Sequence, residues 1–314
     1  MTRLVVGVAG GTGFIGSACV SELNKKHEVR LIRAPRFQTE ARSLVALREA
    51  IDPHDAEQYA ETHLADVDVL VNAAGLATAT STDLSSLMGA NAMLPRFLAR
   101  AATLAGVTRL VHISSAAVQG RGTLDEGERL RPDNRYALSK ALGEALLRDT
   151  PAMEVIRYRP TSVQGPQRDV TRTLMRLAES PLASVATPGD DPSPQIPRAQ
   201  VAHAVGLLAD LSRRPPEVVL HPWGGATTRS VLMDLGGKEP RAVNRVAADQ
   251  AVALAYAASR GMAGLRAHAR RLDMMIFGQP QVDGWLSTRL EPIGDGWLRD
   301  CRREIRTAGK GAQR

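Results

Sequence analysis

Leu4-Val5-Val6-Gly7-Val8-Ala9-Gly10-Gly11-Thr12-Gly13-Phe14-Ile15-Gly16 decides how this chain folds. Leu4 to Ala9 is a short apolar, β-branched run and predicts a buried strand. Gly10, Gly13 and Gly16 then space a turn that enters a helix predicted over Ser17 to Lys26. Glycine allows the tight turn and lets the backbone approach a ligand without a Cβ in the way. The free N–H groups at the helix start then face an anion. Strand, glycine turn and helix in this order form a cradle for the pyrophosphate of a dinucleotide. A plain strand–helix turn needs fewer glycines.

Working outward, Glu28-Val29-Arg30-Leu31-Ile32, Val67-Asp68-Val69-Leu70-Val71, Leu110-Val111-His112-Ile113 and Glu154-Val155-Ile156-Arg157-Tyr158 read as further strands. Helices are predicted over Glu40 to Ala50, Leu94 to Ala105 and Tyr136 to Arg148. Strands alternating with helices imply an α/β fold, a Rossmann-type doubly wound parallel sheet covered on both faces. One more strand is expected between Glu49 and His63, and Ile51-Asp52-Pro53 is its best match. After Val163 the texture changes. Pro181 to Pro197 carries five prolines and reads as a loop, and Val246 to Met275 is Ala- and Arg-rich and helical. Residues 1–163 are therefore read as a dinucleotide-binding domain to which a later strand or helix returns. Residues 164–314 are read mainly as a smaller, discontinuous substrate lobe with a basic tail.

Composition narrows the classes. The 314 residues are 44% hydrophobic and 23% charged, which suits a folded globular protein and not a disordered one. Two cysteines, Cys19 and Cys301, cannot build a disulfide framework or a zinc ribbon, and the seven histidines show no ligand spacing, so no metal is expected. The first apolar run is too short for a signal peptide or a membrane span, which points to a reducing, cytoplasmic setting. Of the +7 formal charge, +4 falls between Arg299 and Arg314, with six basic and two acidic residues. That stretch reads as a solvated, frayed tail, with attraction for an anionic partner as the alternative. Nucleic acid fits poorly, because aromatics are only 4% and do not interleave with the basic residues. Asp283-Gly284-Trp285-Leu286 recurs as Asp295-Gly296-Trp297-Leu298, which reads as two anchors for the C-terminal segment.

The second strand ends Ile32-Arg33-Ala34-Pro35-Arg36, without the carboxylate that a free ribose 2′-hydroxyl favours. Arg33, with Arg36 nearby, can grip a 2′-phosphate instead, so NADP (as NADPH) is preferred over NAD. Tyr136 and Lys140 stand at i and i+4 and share one helix face. A free phenol has a pKa of about 10, and a nearby ammonium favours its ionised form. Ser114 and Ser115 end a predicted buried strand, where ligands bind in open α/β sheets.

With these motifs together, the chain resembles the extended short-chain dehydrogenase/reductase family, of the NAD-dependent epimerase/dehydratase type. The matching segments are Gly10 to Gly16, Asn72-Ala73-Ala74-Gly75, Ser114 to Gly120, Tyr136 with Lys140, and Arg159-Pro160-Thr161-Ser162-Val163-Gln164-Gly165-Pro166. The resemblance implies Tyr136 as general acid/base, Lys140 on the nicotinamide ribose, and Ser115 on the substrate oxygen. It implies cofactor contacts from Gly10, Thr12, Gly13, Phe14, Ile15, Gly16, Ala73, Ala74 and Gly75, with Pro160 and Val163 beside the nicotinamide and Ser162 near the substrate. Asn91 matches a packing-helix asparagine or serves as a helix cap. Ala116-Ala117 stands where sugar 4,6-dehydratases of the family carry Asp-Glu, so dehydration has no obvious acid.

The reading is an NADPH-dependent ketoreductase acting on the 4-keto group of a nucleoside-diphosphate 4-keto-6-deoxyhexose. Alternatives are an NAD-dependent nucleotide-sugar epimerase, a reductase of a polyketide- or steroid-type ketone, and a non-catalytic NADP sensor. An intact Ser115–Tyr136–Lys140 set speaks against the sensor. Arg198 is a candidate for the diphosphate of the substrate, or a surface charge. No membrane partner is expected, and a homodimer is compatible with the reading.

Overall fold

The computed structural model describes residues 3–51, 53–77, 83–148, 150, 152–260, 262–294 and 296–311. The first half runs β1 (Val5–Ala9), α1 (Phe14–Leu23), β2 (Glu28–Ile32), α2 (Leu44–Glu49), α3 (Pro53–His63), β3 (Val69–Asn72), α4 (Leu84–Met88), α5 (Leu94–Leu104), β4 (Arg109–Ile113), α6 (Arg135–Leu147) and β5 (Glu154–Arg159). The second half adds β6 (Ser162–Gln164), α7 (Asp169–Glu179), β7 (Ser184–Ala186), β8 (Gln195–Pro197), α8 (Arg198–Ala209), β9 (Val218–Leu220), α9 (Thr228–Gly236), β10 (Arg241–Val243), α10 (Arg245–Ala258), α11 (Ala263–Phe277) and α12 (Trp297–Gly311).

Six strands form one sheet in the order β2-β1-β3-β4-β5-β9, every pair parallel. Its faces follow the period of two in the strands. In β3, Val69 and Val71 join one buried cluster with Val6, Val8, Val111 and Ile156, covered by α1 and α8. Leu70 points the other way, into a cluster with Leu98, Leu110 and Leu146 from the α5 and α6 side. Burial on both faces explains why these strands read as continuous apolar runs. β9 and α8 follow residue 163, yet β9 pairs with β5 and α8 packs on α1.

The chain between Glu49 and His63 forms no strand among its described residues. Pro53 starts α3 instead, with Asp55 in its first turn and His63 in its last. Proline fits a first helical turn, and both charges suit the helix dipole. The sheet thus ends at β2. Asp52 lies outside the described residues. The proline-rich stretch from 181 to 197 is also not all loop, since β7 pairs with β10 and β8 with β6.

The second lobe has its own core of Val185, Val231, Leu232, Val252, Ile276 and Leu298. Trp297 packs against it, whereas Trp285 and the buried Leu286 join the cluster under α1 and α8. The two Trp-Leu pairs therefore tie the C-terminal segment to different cores. Residues 312–314 lie outside the described residues; as far as it is described, to residue 311, the basic end is not a frayed tail. It is α12, lying against α9, with Arg306 to Glu179 at 2.7 Å and Arg299 to Asp234 at 3.3 Å.

Candidate active site

Gly10 shows why its position admits only glycine. Its φ is +78°, and a Cβ there would meet the Ala74 backbone nitrogen at 2.5 Å. At Gly16 a Cβ would run into the Gly10 carbonyl oxygen. The Gly13 N–H donates to the Gly10 carbonyl at 3.0 Å and closes the turn. Helix α1 begins at Phe14, three residues before the expected start, with no side-chain cap and no acid in its first turn. Its first N–H groups are thus left without a side-chain acceptor, as an anion site at a helix start requires.

Ala73 and Ala74 continue from the end of β3, with the Ala74 N–H donating to Asn72 Oδ1 at 3.1 Å. Gly75 is closely packed, since a Cβ there would lie 2.7 Å from Asn91 Oδ1 and 3.1 Å from Lys140 Nζ. Asn91 is neither a cap nor a residue of a regular helix. It sits in the π-helical turn Gly89–Met93 between α4 and α5, where it accepts from the Leu76 N–H at 3.0 Å and donates to Leu76 O and Ser139 Oγ at 2.9 and 3.0 Å. That widened turn aims the amide at the loop after β3. Arg33 and Arg36 are exposed, and among the described residues their guanidinium groups have no hydrogen bond or ion pair.

The catalytic candidates meet at the carboxyl ends of β4 and β5. Asn134 caps α6 through Ala137 N at 2.9 Å and so fixes Tyr136 in the first turn. Ser115 caps the short turn Ala116–Gln119, accepting from Ala117 N at 3.2 Å. Ala116 N in turn donates to the Pro160 carbonyl at 3.0 Å, joining this turn to the loop after β5. Tyr136, Ser115, Ala116, Ala117, Ser162, Val163 and Arg168 line one cavity of about 220 Å³. Thr161 lines it as well, with a buried hydroxyl that has no partner. Asp133 is the one carboxylate on the lining, and it is ion-paired to Arg270 at 3.3 Å.

Burial pushes the Tyr136 phenol above its ordinary value, while the Ser115 hydroxyl and the Arg168 guanidinium pull it down. Arg168 is thus a cation that acts on Tyr136. Lys140 is buried, and its Nζ donates to the Ile113 carbonyl at 3.0 Å. Burial brings Lys140 down to about 8, against the attraction of Glu144 one turn further along α6. Glu144 is itself fully buried and takes two hydrogen bonds from Arg159, at 3.0 and 2.6 Å. Beneath Lys140, burial and the charges of Lys140 and Arg157 hold His112 well below its usual range, so its ring is neutral.

Arg168 escapes the sequence reading by two residues, since the matching segment ends at Pro166. Its Nη1 donates to the Val163 carbonyl at 2.7 Å, and its guanidinium lies 5.3 Å from the Phe14 ring centre. Arg198 opens α8 and lies 5.4 Å from the same ring, beside the start of α1 and off the lining of the Tyr136 cavity. Arg271 of α11 is the other residue the sequence did not single out. It lines the cavity, is half-buried, and has no hydrogen bond or ion pair among the described residues. An Ala/Arg-rich helix offers no local signal that one arginine turns inward.

A model of the NAD dependent epimerase/dehydratase family matches residues 6–190, more than half of the chain. The chain belongs to that family. Within the family, it is 30% identical over 184 residues to UDP-glucose 4-epimerase of Vibrio cholerae, covering 54% of this chain and 55% of that one. The chain thus spans about half the length of the curated relatives it matches. The solved structure of MoeE5 with UDP-glucose and NAD has the same fold, with a TM-score of 0.63 at 20% identity over 97% of this chain and 99% of that one. dTDP-4-dehydrorhamnose reductase of Bacillus anthracis, in complex with NADP, gives a TM-score of 0.55 at 16% identity over 78% of this chain and 86% of that one. At these identities the structures establish the Rossmann fold alone. Among the described residues of this family member, no helix is long and apolar enough to cross a membrane, and no cluster of His, Cys, Asp or Glu could hold a metal ion.

Proposed function

We propose that this epimerase/dehydratase-family protein is an NADPH-dependent reductase of a nucleotide-linked 4-keto-6-deoxyhexose. The observation that carries the choice of a reductase is the pair Arg33 and Arg36 beyond β2, exposed, unpaired and without a carboxylate at the strand end. That charge suits a 2′-phosphate, hence an exchangeable reductant, whereas an epimerase keeps its NAD bound. The cofactor's phosphates would lie on the turn from Gly10 to Gly16, where no Cβ stands in the way, with Thr12, Phe14 and Ile15 around them. Ala73, Ala74 and Gly75 would border the adenosine, and Pro160 and Val163 the nicotinamide. Lys140, behind Gly75, would hold the nicotinamide ribose. Bound there, NADPH supplies a hydride to the carbonyl carbon.

The residues of the chain do the rest. Ser115 donates a hydrogen bond to the ketone oxygen and sets it against Tyr136. Tyr136, kept protonated at neutral pH by burial, gives its proton to that oxygen as negative charge grows there. Arg168 steadies the phenolate left behind. Asp133 is held by Arg270 and Ala116-Ala117 carry no acid, which speaks against removal of water from a sugar. Ser162 is placed for a sugar hydroxyl, the free Arg271 suits the diphosphate, and Arg198 adds positive charge on the side of the cradle.

The test compares NADPH oxidation with a dTDP-linked 4-keto-6-deoxyhexose against the free keto sugar. A charged hydrogen bond from Arg271 is worth about 1.5–3 kcal/mol, so the nucleotide-linked sugar should win by about 10- to 100-fold in kcat/KM. Equal efficiency would overturn nucleotide recognition. A second reading, a ketone of polyketide or steroid type, would then lead. One observation favours it, the apolar wall of Val170 and Met274 on the same cavity.

A further inference from the structure

Behind Ser162, Val170, Arg271 and Met274, which line both spaces, a second chamber of about 120 Å³ adjoins the cavity of Tyr136. Its far wall is apolar, built by Leu174 and Leu177 of α7, Val231 and Leu232 of α9, and Met275 of α11. Apart from the exposed Thr173 and from Arg271, the polar side chains on its lining are already engaged in hydrogen bonds. Gln164 Nε2 donates to Ser162 Oγ and Gln195 Oε1 at 2.8 and 2.7 Å. Gln164 Oε1 accepts from Thr171 at 2.7 Å, Gln195 Nε2 donates to Ser193 at 3.3 Å, and the Thr228 hydroxyl donates to the Gly189 carbonyl at 3.0 Å. A nucleobase, with several donors and acceptors to satisfy, would have to break this network at the cost of buried unpaired groups. An apolar group would leave it intact. Among the described residues, the cation on the lining without a hydrogen bond or ion pair is Arg271, which borders both spaces.

We propose that this chamber is a subsite for an apolar substituent of about four to six carbon atoms, carried by a ligand whose anionic group meets Arg271. The size follows from volume, since an apolar cavity of about 150 Å³ holds one benzene. The subsite deepens the reductase reading and rests on it for the position of the ketone, at Tyr136 on the other side of the shared lining. The substituent belongs either to a substituted nucleotide sugar or to an apolar keto acid or phosphate. In both cases the chemistry recognised is one anion next to a small hydrocarbon group.

The probe is a homologous series of n-alkyl monophosphates, ethyl to octyl, titrated by calorimetry into the full-length protein saturated with NADP. Each buried methylene contributes about 0.8 kcal/mol, so affinity should rise about fourfold per carbon and level off at about four to six carbons. Arg271→Gln should weaken every member by a similar factor and keep the slope. Leu174→Phe, which fills the chamber from a partly buried wall, should make the plateau come earlier while NADP still binds. An affinity independent of chain length would overturn the proposal. So would an unchanged plateau in Leu174→Phe that binds NADP normally. The readout is binding, so it separates the two ideas. A chain-length slope without turnover of any keto sugar keeps the subsite and removes the reductase reading, and turnover without a slope does the reverse. Alkyl-substituted sugar nucleotides and alkyl keto acids, tried next as substrates with NADPH, distinguish the two sources.

Discussion

Replacing Glu144 by leucine tests how the buried charges support the site. Glu144 and Arg159 have no solvent exposure, and the carboxylate accepts two of the three hydrogen bonds that the guanidinium donates. Without it, the hydrogen bond left to the Arg159 side chain among the described residues is the one to the Gly127 carbonyl, at 2.8 Å. A buried ion pair broken on one side loses about 3–5 kcal/mol. Set against a total stability of about 5–15 kcal/mol, Glu144→Leu should lower the denaturation midpoint sharply. Removing both charges should be far milder, so Glu144→Leu with Arg159→Met should recover most of the loss. Urea melts followed by circular dichroism, with NADPH affinity measured alongside, give the comparison. The same change removes the negative charge that holds Lys140 up, so the ammonium should titrate below its value of about 8. A loss under about 1 kcal/mol in the single variant would refute this reasoning. So would a double variant that is as unstable as the sum of the two single ones.

The other expectations concern chemistry. Tyr136→Phe keeps the ring but removes the proton, so reduction should slow by about 10²-fold or more with NADPH affinity unchanged, read by stopped-flow and fluorescence titration. Arg33→Asp should turn the preference from NADPH toward NADH in the ratio of kcat/KM values, and better use of NADH by the unaltered protein would remove the basis for NADP. Reduction should be steady at neutral pH and fall as pH rises through about 8. Lys140, lowered by burial, carries its charge below that pH and loses it above, whereas the raised phenol of Tyr136 is still protonated there. A pH profile of kcat/KM flat to pH 10 would contradict the assignment of Lys140.

Local patterns were readable to the degree that they are local. The glycine turn, the strands of the parallel sheet and Tyr136 with Lys140 each declare themselves within a few residues, because sterics and helix spacing act at that range. The stretch from Glu49 to His63 misled, since the strand expected by analogy yields to Pro53 and an Ala- and Glu-rich segment that suits a helix. The i, i+4 spacing placed Lys140 one turn from Tyr136, where its ammonium donates to the Ile113 carbonyl, and the spacing could not show that Arg168 also acts on the phenol. Nothing near Arg168 or Arg271 announces that role, which depends on how α7 and α11 fold back over the cavity. The basic C-terminal stretch read as a solvated tail for the same reason, because its partners Glu179 and Asp234 are distant in sequence.

A reductase and an epimerase differ most plainly in the fate of the hydride. With NADPH carrying deuterium at the transferred position and a dTDP-linked 4-keto-6-deoxyhexose, the account predicts one NADP released per product and one deuterium at the former carbonyl carbon. Turnover of a nucleotide sugar without net NADPH consumption, its carbinol hydrogen returned to the same carbon with inverted configuration, would contradict it.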